Sequence, residues 1–109
     1  MGQTGPPDEA LPRVLADVYR RIADPQVRQF AIGRAVDPVT AFVQLRQAVQ
    51  PPPSQFQILY EGGPTDQVRT VERALRRRLG KDPRYRPIPT LGRPSKRRAY
   101  QYVFIVLWD

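Results

Sequence analysis

The apolar residues near the start of the chain recur with a helical period. At about 100° per residue, residues 11–22 gather their large apolar side chains on one side of a helix and Arg13, Asp17 and Arg20 on the other. This pattern predicts an amphipathic helix over residues 13–23, ended by the turn-forming Pro25. The predicted apolar side consists of Leu11, Val14, Leu15, Val18, Tyr19 and Ile22.

Two further segments are predicted by alternation and by helix-start signals. Residues 27–36 alternate imperfectly around Gly33, which predicts a strand with a close approach at the glycine. Asp37 followed by Pro38 is typical of a helix start, because the carboxylate caps the first turn and proline fits the first helical position. This predicts a helix over residues 38–50 that stops at three consecutive prolines. Its apolar residues at helical spacing are Val39, Phe42, Leu45 and Val49.

The second half of the chain repeats the strand and helix order. Phe56, Ile58 and Tyr60 alternate with polar neighbours and predict a half-buried strand. Thr65 then begins a helix over residues 65–79, which Gly80 ends. Its predicted buried stripe consists of Val68, Val71, Leu75 and Leu79.

The last segments differ sharply from each other. Residues 81–99 contain four prolines and seven basic residues without any periodicity, which predicts a basic, proline-rich loop. Residues 100–108 are almost continuously apolar and predict an inner strand buried on both faces. Together the elements predict a single α+β domain over residues 13–109, with a small mixed sheet of three or four strands flanked by two or three helices. Residues 1–12, with three prolines and two glycines, are expected to form a disordered tail.

Composition removes several classes of function. The 109 residues suffice for one domain, and the chain contains neither cysteine nor histidine. Disulfides, Cys/His zinc sites, thiol nucleophiles and Ser-His triads are therefore excluded. No signal peptide or long apolar run is apparent, so we expect a soluble, cytoplasmic protein without a membrane partner.

Positive charge is concentrated in one part of the sequence. The chain has 18 basic and 10 acidic residues, a net charge of +8, and twelve of the basic residues lie between Arg69 and Arg98, opposed only by Glu72 and Asp82. Such a field attracts phosphate backbones, so we expect DNA or RNA as the partner. The predicted nucleic-acid contacts are Arg69, Arg73, Arg76, Arg77, Arg84, Tyr85, Arg86, Arg93, Lys96, Arg97 and Arg98. Within this set, an aromatic ring between Arg84 and Arg86 suits stacking on an unpaired base.

Short motifs in the first 80 residues resemble those of the GIY-YIG nuclease superfamily. Asp17-Val18-Tyr19 stands where the first signature is expected, and Ala31-Ile32-Gly33 follows after eleven residues as the second. Asp37-Pro38, Ile58-Leu59-Tyr60-Glu61 and Val71-Glu72-Arg73-Ala74-Leu75 continue the resemblance. It implies that residues 14–36 form a β-hairpin, so that residues 13–23 are open between strand and helix.

The resemblance also implies catalytic roles. Tyr19 would help to activate water, Arg34 or Arg46 would replace the phosphate-binding arginine of the first helix, and Glu72 would hold a single Mg²⁺ ion. The second tyrosine falls on Ala31, however, and the chain contains no asparagine. Weak or lost hydrolysis is therefore expected.

Three hypotheses follow for function. The first is nucleic-acid binding by a GIY-YIG-like domain. The second is a Mg²⁺-dependent endonuclease that uses Tyr19 and Glu72. The third is a protein-interaction or inhibitor module whose basic face docks on an acidic partner, because complementary charge steers protein association equally well. For Glu72 itself, the residues alone also allow a simple ion pair with Arg76, one helical turn away.

Overall fold

A computed structural model describes residues 2–62, 64–89 and 101–109 of the chain. Within these residues the chain forms three helices and three strands in alternation. They are α1 (Pro7–Ile22), β1 (Gln29–Ala35), α2 (Pro38–Ala48), β2 (Gln55–Glu61), α3 (Thr65–Leu79) and β3 (Tyr102–Trp108). The predicted α+β class is confirmed.

The three strands form one open sheet in the order β1-β3-β2. β3 pairs antiparallel with both neighbours, from Gln29 opposite Trp108 at one end of β1 to Glu61 opposite Tyr102 in β2. The expectation of a mixed sheet is therefore wrong for the described strands. β1 and β2 do run in the same direction, but β3 lies between them, so no two of the described strands pair in parallel.

The central position of β3 follows from its composition. A strand with helices over both faces must be apolar on both, which requires a nearly continuous hydrophobic run. Val103 to Trp108 are all at most 4% exposed, as the sequence predicts for an inner strand. Tyr100, at the predicted start of this strand, lies outside the described residues.

Helices cover the two faces of the sheet unequally. α1 and α3 pack on one face and form the larger cluster of buried residues with the sheet. α2 packs on the other face, where Ala41 and Leu45 contribute to a smaller cluster that includes Phe104, Val106 and Trp108. Burying a side chain of the size of valine or leucine is worth roughly 1.5–3 kcal/mol, so the first face contributes most of the packing energy.

Residues 13–23, for which the sequence allows either a strand or a helix, lie almost entirely in helix α1. Val14, Val18 and Ile22, spaced four residues apart, are buried against the sheet. α1 begins at Pro7, and the main chain of Gln3 pairs with β2, so much of the segment expected as a tail belongs to the helix or contacts the sheet. The strand alternative is wrong too, and no β-hairpin forms over residues 14–36.

Two short segments cover parts of the sheet edges. The amide of Gln3 donates to the Leu59 carbonyl at 2.9 Å, and the amide of Glu61 donates to the Gln3 carbonyl at the same distance. On the opposite edge, the Phe30 amide donates to the Arg84 carbonyl and the Arg86 amide donates to the Phe30 carbonyl. The first part of the predicted basic loop therefore lies along β1. Its remainder, residues 90–99, falls outside the described residues.

α2 differs from its prediction in length and in part of its buried side. It ends at Ala48, two residues earlier than expected. Leu45 and Val49 of the predicted apolar stripe are buried as expected, but Val39 is 73% exposed and Ala41 packs on the sheet instead. The helix carries apolar residues on two sides, and periodicity alone does not fix the edge of the buried side.

Substituting Gly33 by alanine should destabilise the fold. A Cβ at this position would lie 2.5 Å from Cζ of the Phe104 ring and 3.1 Å from Cδ1 of Ile88. Because Phe104 is fully buried in the central strand, its ring cannot move without repacking the α2 side. We expect Gly33→Ala to lower the free energy of unfolding by about 1–3 kcal/mol in urea titrations. An unchanged midpoint would contradict this packing.

Candidate functional site

A buried carboxylate on α3 lies at the centre of a cluster of arginine side chains. The Glu72 side chain is 4% exposed, and both of its oxygens face guanidinium groups. Oε1 accepts from Nη1 of Arg34 at 2.5 Å, and Oε2 lies 3.5 Å from Nη2 of Arg76. A buried carboxylate needs such partners, because removing it from water without them costs several kcal/mol.

The strand period brings Arg34 to α3. In β1, residues 30, 32 and 34 point to the same face, so Arg34 follows Phe30 and Ile32 toward the helices. Arg76 reaches back from α3, and its Nη2 atom lies 3.4 Å from the Ile32 carbonyl oxygen. The pair with Arg76 is the one that helical spacing predicts. The closer pair with Arg34, 38 residues away, comes from the tertiary structure and had no local signal.

These groups line an open pocket between α3 and the end of β1. The pocket has a volume of about 390 Å³. Its lining consists of Arg34, Arg69, Glu72, Arg73 and Arg76. Among the described residues, the four guanidinium groups and one carboxylate of this lining give a net charge of +3. The pocket is therefore suited to an anion, above all to a planar or tetrahedral oxyanion that accepts paired N–H donors.

Tyr85 does not form the predicted stacking surface. Its ring packs edge-on against Phe30, with 5.5 Å between the ring centroids and an angle of 83° between the planes. Burial raises the pKa of the Tyr85 hydroxyl above its usual value of 10.0, an effect that the neighbouring Arg76 partly opposes. Tyr85 is thus part of the cover of the core and does not present an open ring to a base.

Arg84 and Arg86 fix the loop to the rest of the domain. Arg84 donates through Nη1 to the Ile22 carbonyl at 2.6 Å and forms an ion pair with Asp82. Arg86 lies over the Trp108 ring, 4.9 Å from its centroid, and donates to the Gln50 carbonyl at 2.8 Å. Both arginines, which the sequence predicts as nucleic-acid contacts, therefore have partners within the fold.

Only two of the four predicted catalytic residues meet. Arg34 and Glu72 are in contact, whereas Tyr19 is half exposed on α1 and is not among the residues that line the pocket. Arg46 belongs to α2 on the opposite face of the sheet, where its guanidinium carbon lies 5.6 Å from the centroid of the Phe42 ring. The catalytic constellation implied by the resemblance is not assembled.

The surroundings of Glu72 do not fit the expected Mg²⁺ ion. Magnesium in proteins is held by oxygen ligands, usually from one or more carboxylates. Glu72 has arginine on both oxygens, and the remaining residues that line its pocket are arginines. Over residues 2–62, 64–89 and 101–109 no group of three or more acidic, histidine or cysteine residues could hold a metal ion.

The other predicted contacts divide into two groups. Arg69, Arg73, Arg76 and Arg77 lie on α3 and are exposed to solvent. Arg93, Lys96, Arg97 and Arg98 lie outside the described residues. Among the predicted contacts that the structure describes, the exposed ones are therefore those on α3.

Comparisons with known proteins add no relative. No protein-family model matches the chain, and neither a curated protein nor a solved structure is detectably similar to it. The resemblance to GIY-YIG nucleases is thus not confirmed. None of the helices in the described part of the chain is long and apolar enough to cross a bilayer.

Replacing Glu72 by glutamine should weaken the link between α3 and β1. The amide keeps the size of the side chain but loses the charge that offsets Arg34 and Arg76. Hydrogen bonds to charged groups contribute roughly 1.5–3 kcal/mol each, and part of this is regained when the freed guanidinium groups meet water. We expect Glu72→Gln to lower the free energy of unfolding by about 1–3 kcal/mol. Equal urea midpoints for the two proteins would show that the ion pair makes no net contribution.

The anchor at Asp82 should make stability depend on acid pH. The hydrogen bond from the Arg84 side chain holds the pKa of Asp82 below its ordinary value of 3.8. The charged carboxylate then stabilises the fold fully above that value, and this contribution is lost as the pH falls through the lowered pKa. We expect wild type to be more stable than Asp82→Asn near neutral pH, with the difference shrinking below pH 3.8. A difference that stays constant down to acid pH would contradict the assignment.

Proposed function

We propose that the chain binds nucleic acid through its backbone phosphates, using a surface that we call the arginine face. It consists of Arg34, Arg69, Arg73 and Arg76. The observation that carries the proposal is the convergence of these four guanidinium groups on one pocket whose single carboxylate, Glu72, is buried beneath them. A net charge of +3 in a concave site favours a multiply charged anionic partner.

The buried carboxylate prepares this surface for its ligand. Glu72 contacts Arg34 and Arg76 at the same time and so restricts two long side chains before any anion arrives. Arginine side chains otherwise lose about 2 kcal/mol of rotamer entropy when they are immobilised. Because folding has already restricted Arg34 and Arg76, binding a phosphate costs less side-chain entropy, and the affinity is correspondingly higher.

The spacing of the arginines suits a polymeric anion better than a single ion. Arg69, Arg73 and Arg76 recur every three or four residues and form a row along α3. At 1.5 Å per residue this row is roughly 10 Å long. Since each nucleic-acid strand carries a phosphate about every 3.4 Å of helix rise, the row can contact more than one phosphate.

Contacts of this type carry no sequence information. Guanidinium groups on phosphates position a nucleic acid, whereas sequence is read from base edges. The aromatic group predicted to stack on bases, Tyr85, is packed on Phe30. We therefore propose binding without marked sequence preference.

The proposal does not include hydrolysis. Tyr19 does not line the pocket, and the carboxylate expected to hold a metal ion is engaged by two arginines. The role proposed for Glu72 is to orient arginines. A plasmid-nicking assay with and without Mg²⁺ checks this point, since Glu72-dependent cleavage would restore the endonuclease hypothesis.

Removing two arginines from the face should weaken binding to any oligonucleotide. We expect Arg69→Ala combined with Arg73→Ala to reduce affinity for single- and double-stranded DNA and RNA at least about tenfold at low salt. If each residue contacts one phosphate, the slope of log affinity against log salt should fall in magnitude by about 1.8 for duplex DNA and about 1.4 for single strands. Fluorescence anisotropy across a salt series measures both quantities.

Arg46→Ala is the matched control for Arg73→Ala alone, because each variant removes one positive charge and the two residues lie on opposite faces of the sheet. It should leave affinity and salt slope near those of wild type. Equal losses for Arg46→Ala and Arg73→Ala would mean that only net charge matters. Undetectable binding of the parent protein at low ionic strength would remove the proposal. Tighter binding of polyglutamate than of oligonucleotides would favour the acidic-protein partner instead.

A further inference from the structure

A second concave surface lies between α2 and β2, on the face of the sheet opposite to the arginine face. This α2 groove has a volume of about 470 Å³. Its lining is mostly apolar and consists of Pro38, Val39, Phe42, Val43, Ser54, Phe56, Gln57 and Ile58. Val39 is 73% and Val43 is 51% exposed, while Phe56 and Ile58 are partly buried.

α2, which borders the groove, carries apolar residues both on the side that packs against the sheet and on an exposed side. Ala41 and Leu45 face the sheet, and Val39 and Val43 point away from it. An amphipathic surface helix normally turns charged or polar residues outward. Exposed apolar residues that adjoin an apolar groove mark an interaction surface more often than scattered ones do.

The groove also borders a partly open sheet edge. β2 is an edge strand, and Gln3 pairs only with its second half, at Leu59 and Glu61. Along Gln55 to Ile58, no outer bridge to β2 occurs among the described residues. Edge strands of this kind readily add a further strand.

Charge indicates which partner can approach this surface. Residues 37–61, which include α2 and β2, contain one basic residue, Arg46, and two acidic residues, Asp37 and Glu61. The other 84 residues contain the remaining 17 basic and 8 acidic groups. Two copies of so basic a chain repel each other at most approaches, but not when their nearly neutral α2 and β2 segments meet.

We propose that the α2 groove is the interface between two copies of this chain. A two-fold axis beside β2 would place Val39 and Val43 of each copy against the groove of the other, which gives the self-complementary contact of a closed dimer. α3 lies on the opposite face of the sheet, so both arginine faces remain accessible in this arrangement. The inference does not rest on nucleic-acid binding.

Sedimentation equilibrium at high salt tests the proposal without interference from bound polyanions. An apolar interface is maintained or strengthened by added salt, whereas association bridged by nucleic acid is lost. We expect the nucleic-acid-free wild-type protein to sediment as a concentration-dependent dimer. Val43→Glu, which places two charges in the interface, should weaken dimerisation by at least about 100-fold.

Gln44→Glu is the matched control, because it adds the same charge to an exposed position of α2 that does not line the groove. It should dimerise like wild type. If Val43→Glu lowers the melting temperature, the more exposed Val39→Glu replaces it and should give the same loss. A wild-type protein that is monomeric at every concentration, or a dimer that Val43→Glu leaves intact, would overturn the proposal.

Discussion

The pairing of β3 with two strands at once is the constraint on which the rest of the structure depends. β1 and β2 have no hydrogen bonds to each other, so the sheet exists only because Tyr102–Trp108 lies between them. The same strand supplies buried side chains to both layers of the core. Helices on either face therefore pack against one shared strand. This arrangement explains why six consecutive residues of β3 are apolar.

The position of the candidate site follows from the pairing of β1 with β3. The alternation that buries Phe30 and Ile32 under the helices also carries Arg34 to α3, where Glu72 receives it. A single buried carboxylate thus joins a strand to a helix and orients two cations at the pocket. In the proposed function, stability and anion binding depend on the same contact, so a change at Glu72 would affect both. Substituting Arg73 tests binding separately from stability. Its side chain is exposed at the pocket and makes no ion pair within the described part of the chain.

Much of the fold could be predicted from local signals. The cap at Asp37, the helical period of residues 11–22 and the continuous apolar run of β3 each reflect a strong local preference. Thr65 does begin α3, but its side chain makes no capping hydrogen bond. The buried side of α2 could be predicted only in part: Leu45 and Val49 of the predicted stripe are buried, but the small Ala41 packs on the sheet while Val39 is exposed, and only tertiary contacts decide between these two. The role of Arg84 could not be predicted either. Its partner, the Ile22 carbonyl, is 62 residues away, and nothing in a basic loop distinguishes an anchoring arginine from a binding one. The motif matches around Tyr19 misled for a related reason, since three residues fit a strand signature within a segment whose longer period is helical.

The order of the strands along the chain has a consequence for synthesis. Because the middle strand of the sheet follows both of its neighbours in sequence, a nascent chain that has completed α3 still lacks the partner that β1 and β2 require. Until then the apolar faces of the helices have no finished sheet to cover, and local contacts alone must hold the emerging polypeptide. Folding of this domain therefore awaits translation of its final strand, and the incomplete intermediate is the form most exposed to chaperones and proteases.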